Sequence, residues 1–269
     1  MKKKDGHIHS PFCPHGSKDF LHEYTEKAIQ NGFTEITFTE HAPLPSGFKD
    51  PAPEEDSSMK ASELADYFQA INTVKEAYSK HISILAGLEV DYIEGFEEGT
   101  KKVLEAAGPY IDDTLLSVHF LKTENDYWCM DYSEEVFGEL IKRCGSAENV
   151  YELYYRTLEK SVAADLGPYK PKRIGHITLA RKFQKVHPSA FDEQAALIKL
   201  FALLKAQEYQ IDFNTAGLRK PNCGETYPPL PFAEMALSLG ISLVYGSDAH
   251  TAKEVGAAYD VYQRLLNIR

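Results

Sequence analysis

Short runs rich in β-branched and aromatic residues alternate with longer helical patterns along this chain, and that alternation limits the folds open to it. Strands are expected near 6–9, 35–39, 82–90, 114–120, 173–177, 211–214 and 242–245. Helices are expected near 18–31, 62–80, 94–107, 148–166, 189–208, 232–239 and 252–266. Asn31-Gly32 and Gly240 act as stop signals, and Pro188-Ser189 as a start. There is no linker, repeat or low-complexity tract, so the pattern predicts one barrel-like parallel α/β domain over 1–269. An open doubly wound sheet is the alternative, although no GxGxxG follows any strand. Two stretches break the rhythm. Residues 42–61 hold Pro43, Pro45, Pro51 and Pro53, and 122–145 hold the only tryptophan, Trp128. Loops of that length are expected to act as ordered lids.

Composition narrows the function. A net charge of −11 argues against a broad footprint for nucleic acid or an anionic membrane. No apolar run is long enough to span a bilayer, and Lys2-Lys3-Lys4 is not followed by the apolar region of a secretory signal. Cys13, Cys129, Cys144 and Cys223 are scattered, which excludes a zinc ribbon and fits reduced thiols in a cytoplasmic protein. Nothing in the sequence argues for a homo-oligomer.

Where the histidines fall is the discriminating feature. The segment GHIHSPFCPHG places His7 and His9 two apart on a strand, on the same side, and a proline-fixed turn then brings up His15. His41 follows TEITFTE, Glu89 sits in ILAGLEVDY, His119 in DTLLSVHFL and His176 in KRIGHITLARKF, while Asp248 and His250 follow LVYGS. Each lies in or just after a strand, toward its C-terminal end, where the active sites of parallel barrels are built. Only His22, His81 and His187 break the rule. Seven imidazoles and two carboxylates exceed one tetrahedral zinc and suit two or three divalent ions. Imidazole and carboxylate without thiolate point to Zn, Mn or Fe. Glu40 is expected to hold a ligating imidazole from behind, and Cys13 to be loop packing.

HIH at 7–9, His15, EH at 40–41, GLEVDY at 87–92, SVHF at 117–120, GHI at 175–177 and GSDAH at 246–250 resemble, in order, the motifs of the polymerase-and-histidinol-phosphatase (PHP) family. HITLARKF at 176–183 and FNTAGLRKP at 213–221 bring the resemblance nearest to its stand-alone histidinol-phosphate phosphatase branch. The resemblance implies a distorted seven-stranded (β/α)7 TIM-like barrel with a trinuclear centre. It implies one metal on His7, His9, Glu89 and Asp248, a second on Glu89, His119 and His176, and a third on His15, His41 and His250. It also implies that Arg181 and Arg219 bind phosphate.

Such a site would hydrolyse a small phosphate ester by attack of a metal-bound hydroxide, with Asp248 or a metal-bound water assisting proton transfer. L-histidinol phosphate, the substrate the resemblance implies, calls for an acidic, aromatic pocket, for which Phe12, Tyr92, Phe120 and Trp128 are wall candidates. Lys182 and Lys220 are expected to point elsewhere. The rival readings are a nuclease or nucleotide phosphoesterase of the same fold, and a non-catalytic metal-binding scaffold.

Overall fold

The computed structural model describes residues 2–124 and 126–267. In chain order the strands are β1 (Lys4–Ile8), β2 (Glu35–His41), β3 (Ser83–Asp91), β4 (Asp113–Ser117), β5 (Phe120–Lys122), β6 (Tyr127–Cys129), β7 (Arg173–Ile174), β8 (Gln210–Asn214) and β9 (Leu243–Gly246). The helices are α1 (Leu21–Gln30), α2 (Leu64–Ala77), α3 (Glu97–Ala107), α4 (Glu134–Cys144), α5 (Ala147–Ala163), α6 (Glu193–Ala206), α7 (Leu230–Ser238) and α8 (Tyr259–Asn267).

Seven strands form one parallel sheet in the order β1-β2-β3-β4-β7-β8-β9. The sheet curls until its edges nearly meet. Ile8 and Ala249 form a parallel bridge, the His9 N–H donates to the Ala249 carbonyl at 3.0 Å, and the Asp248 N–H donates to the His7 carbonyl at 2.8 Å. Helices cover the outer face, so strands such as EITFTEH and SILAGLEVD are buried on both sides. The expected strand–helix alternation is therefore observed as a nearly closed seven-stranded barrel, and the open sheet is set aside.

Three expectations need correction. The stretch 122–145 is a β5–β6 hairpin followed by α4, rather than a loop. Ser133 caps that helix by accepting from the Val136 N–H, and the sequence signal SEE was there to be read. The run 114–120 is two elements, because the chain leaves the sheet at Ser117 and Phe120 opens the hairpin. The last helix starts at Tyr259, and only a single tight turn occupies Ala252–Glu254, with Gly256 at φ +76° between them. Among the described residues no helix is long and apolar enough to cross a membrane.

The N-terminal end of the barrel is closed by charge. Lys4, Asp113 and Arg173 are the first residues of β1, β4 and β7. Arg173 is 2% exposed; its guanidinium donates to the Gly6 carbonyl at 2.9 Å and pairs with Asp113 at 3.1 Å. Lys4 reaches the same carboxylate at 3.0 Å. Burial alone would raise the Asp113 pKa, but Arg173 and Lys4 hold it below the usual carboxylate value. Its ionised form therefore stabilises the fold above the unfolded pKa of about 3.9, and that contribution disappears as pH falls through the lower folded value. Asp113→Ala strands the Arg173 charge and is expected to cost about 3 kcal/mol in a urea titration at pH 7. The deficit relative to the unmodified chain should shrink below pH 4.

Candidate metal centre

Opposite that plug, at the C-terminal ends of the strands, Glu89 is the hub. It lies near the end of β3 and is 1% exposed. One oxygen is 2.8 Å from His176 Nε2 and accepts from Ser117 Oγ at 2.6 Å. The other is 3.3 Å from both His7 Nε2 and His41 Nδ1. Gly175 makes this possible, since a Cβ there would collide with Ser117 Oγ. His9 Nε2 is 3.2 Å from Asp248 Oδ1 and 3.5 Å from Glu89. His250 stacks on His9 with ring centroids 3.9 Å apart, and the His15 ring lies 5.2 Å from His41 and 5.1 Å from His250. All nine residues singled out in the sequence thus converge on one region.

The imidazoles are aimed from behind by carboxylates. His7 Nδ1 meets Asp212 at 2.8 Å, His9 Nδ1 meets Glu40 at 3.2 Å and His119 Nδ1 meets Asp91 at 2.8 Å. Each such bond fixes a tautomer and turns Nε2 inward, which is how metal-binding histidines are held. Glu40 fills the role expected of it. Asp91 and Asp212 were not singled out, although each lies in a strand that ends at the same face. A bulge in β1, where Asp5 pairs with Ile36 but Ile8 pairs with Phe38, sets the direction of His7. The buried Asp5 accepts from the N–H groups of Ser247 at 2.9 Å and Gly256 at 3.1 Å; burial pushes its pKa up to about 6.

Not every nitrogen in this cluster finds a hydrogen-bond partner. His9 Nε2, His41 Nδ1 and His176 Nδ1 are buried with no hydrogen-bond partner. His119 Nε2 and His176 Nε2 approach to 3.1 Å. Unpaired buried nitrogens are costly, and lone pairs directed at a common point fit divalent cations. Four sets of donors lie within 4.8 Å of one another: His7, His9 and Glu89; Glu89, His119 and His176; His41, Asp91 and His119; and His9, Cys13, His41 and His250. The last set contains the buried Cys13, whose thiol burial and the nearby Glu40 push up in pKa. Burial also drives His41 and His250 toward the neutral form, reinforced by His9. Burial opposes ionisation of Glu89 and Asp248, but the surrounding imidazoles, His7 foremost, hold both well below the usual carboxylate range. Burial disfavours charge on His7, His9 and His119 too, but the carboxylates around them raise all three above the usual imidazole value, so a metal binding there would displace their protons.

Above the cluster opens a cleft of about 540 Å³. Arg219 lines it, donating to the Ser247 carbonyl at 2.9 Å and the Asp248 carbonyl at 3.1 Å, while its buried Nη1 has no partner. Arg181 does not line it. Its Nε and Nη2 donate to Glu225 and its Nη1 to the buried Glu193 at 2.6 Å. Successive residues of the tight turn Leu179–Phe183 point in different directions, so the neighbour Lys182 faces the cleft instead. Lys220 also lines it. The expectation for this pair of lysines was thus reversed. Of the proposed aromatic walls only Phe120 lines the cleft, joined by Tyr132 and Tyr227. Phe12 packs edge-on against Tyr67, Tyr92 bonds Glu97, and Trp128 bonds Thr123 within its own hairpin.

The PHP domain family matches residues 5–216. A histidinol-phosphatase of Bacillus subtilis is 50% identical over 264 residues, covering 97% of this chain and 98% of the relative. A probable histidinol-phosphatase of Deinococcus radiodurans is 32% identical and covers 94% and 88%. Among solved structures, a Listeria monocytogenes protein proposed as a histidinol phosphatase superposes with a TM-score of 0.92 at 40% identity, covering 97% and 100%. A Lactococcus lactis histidinol phosphate phosphatase, solved with zinc, L-histidinol and phosphate, gives 0.73 at 21% and covers 98% and 94%.

If the carboxylates behind the histidines hold the donors in place, Asp212→Asn or Asp91→Asn should weaken metal binding about 10- to 100-fold. Competition with a metallochromic chelator measures this directly. An unchanged affinity would reduce both acids to fold-stabilising groups.

Proposed function

The chain belongs to the PHP domain family, and on that premise we propose that it is a metal-dependent histidinol-phosphatase, hydrolysing L-histidinol phosphate to L-histidinol and phosphate. The observation that carries this reading is the convergence of histidines on Glu89 at the floor of a cleft with cationic side chains around it. The whole of 1–269 would act as one catalytic unit in the cytoplasm. Three divalent ions suit the number of donors. Zinc is favoured by the Lactococcus structure, and Mn or Fe would meet the same ligands.

His7, His9, Glu89 and Asp248 would hold one ion, Glu89, His119 and His176 a second, and His15, His41 and His250 a third. When bound, the ions supply Lewis acidity and make water acidic enough to attack phosphorus at neutral pH. The protein contributes position and charge. Arg219 carries the unpartnered Nη1, and Lys182 and Lys220 add ammonium groups to the cleft wall beside the cluster, so the phosphate would meet cations of the chain as well as the ions. Phe120, Tyr132 and Tyr227 give the imidazole of the substrate aromatic surface and exclude water from one flank. Asp248 is held ionised by His7 and His9, so it can accept a proton but is a poor donor to the leaving alcohol.

On protein of assayed metal content, L-histidinol phosphate should be hydrolysed with a higher kcat/KM than other phosphomonoesters, and chelation should abolish phosphate release. Equal rates on all esters would remove the substrate assignment. Arg219→Ala should lower kcat/KM about 10- to 100-fold through loss of a charge-assisted donor. Arg181→Ala should instead act on stability, about 3 kcal/mol in urea, because it leaves the buried Glu193 without its cation and with only the Tyr155 hydroxyl as partner.

A further inference from the structure

Resting on the reading just given, the geometry points to Asp131 as the residue that recognises the substrate's ammonium group, taking it in exchange for Lys182, which turns to the phosphate.

Asp131 and Lys182 form an ion pair at 2.8 Å, and both side chains are 18% exposed and line the cleft. They come from separate elements: Asp131 follows the β5–β6 hairpin, and Lys182 sits in the turn after His176. Both flank the cluster. Burial opposes ionisation of Asp131, yet Lys182, and after it His119 and His176, hold its pKa well below the usual range. Lys182 in turn feels Asp131 first and Asp248 more weakly.

The pair has spare bonding capacity. A carboxylate can accept about four hydrogen bonds. Asp131 Oδ2 takes Lys182, while Oδ1 has only the Cys129 thiol at 3.7 Å, a weak donor. The Lys182 ammonium spends one of its donors on this contact. A free surface pair would carry little meaning, but this one sits in the wall of the cleft that adjoins the Glu89 cluster.

The substrate carries the same two charges in the same proximity. Its ammonium group sits on the carbon next to the ester methylene, so cation and phosphate are a few bonds apart. A carboxylate that receives the ammonium must therefore lie beside a cation that receives the phosphate. Asp131 and Lys182 meet that condition before substrate arrives, each satisfying the other. Binding replaces one internal pair by two pairs with the substrate, with no net charge left uncompensated. A phosphate ester without the amine draws Lys182 toward its phosphate and brings no cation to Asp131 in return, which is discrimination by an introduced penalty.

The test compares L-histidinol phosphate with the same ester lacking the amino group, on metal-loaded protein. In the unmodified enzyme the ratio of kcat/KM values should favour the amine. Asp131→Asn should collapse that ratio about tenfold or more, the worth of one charge-assisted hydrogen bond, and Asp131→Glu should restore part of it. A ratio unchanged in Asp131→Asn overturns the proposal while leaving the histidinol-phosphatase reading intact. No hydrolysis of histidinol phosphate by the unmodified enzyme overturns that reading and the proposal with it. Lys182→Met supplies a second arm that does not depend on the folding of the Asp131 variants. Freed of its internal competitor, Asp131 should bind the product L-histidinol more tightly, so its inhibition constant should fall several-fold while that of inorganic phosphate rises. Inhibition constants that move in the same direction, or not at all, exclude the exchange.

Discussion

The buried Glu89 carboxylate is the interaction on which the rest of this structure depends. A single acid on β3 meets imidazoles from β1, β2 and the segment after β7, together with the Ser117 hydroxyl of β4. Such a charge is tolerable in a nearly dry interior only when positive or hydrogen-bonding groups surround it. The barrel supplies them because a parallel sheet that closes on itself brings many strand ends to one rim. Strand order, the β1 bulge and the bare backbone at Gly175 can all be traced to keeping that rim tight around Glu89.

The two rims are built on opposite principles. At the N-terminal end Lys4 and Arg173 are neutralised by Asp113 together with Glu35. At the C-terminal end nitrogens and carboxylates face each other in excess and some have no partner. The first arrangement balances its charges within the chain, although Arg173 Nε and Nη1 are left without a hydrogen-bond partner. The second is completed by something added to it, which is the physical difference between an end that stabilises and an end that reacts.

What the sequence disclosed followed from periodicity and position. Strand–helix alternation gave the barrel, and the placement of His7, His9, His41, Glu89, His119, His176, Asp248 and His250 at strand ends gave the cluster. Each of those sites lies in a strand or within a few residues of its C-terminal end, so the closing of the barrel brings them to one rim. The failures came where direction is set by tertiary contacts. Arg181 and Lys182 are adjacent in sequence, and only the buried Glu193 on α6 and Glu225 decide which of them is drawn away from the cleft. Asp91 and Asp212 could have been found by asking what holds each histidine ring. The β5–β6 hairpin is too short to leave a periodic signal, and its pairing of Phe120 with Cys129 is visible only in three dimensions.

His176 and Asp248 share an unusual backbone, with φ of +25° and +52° just past the ends of β7 and β9. Side chains other than glycine enter that region at a cost of order 1 kcal/mol or more, and the chain accepts it to swing each donor off the strand's alternating pattern and over the barrel mouth. Glycine would relieve the backbone at either position but would strip Glu89 of its His176 partner or His9 of its Asp248 partner, so the strain is held in place by the same cluster it serves.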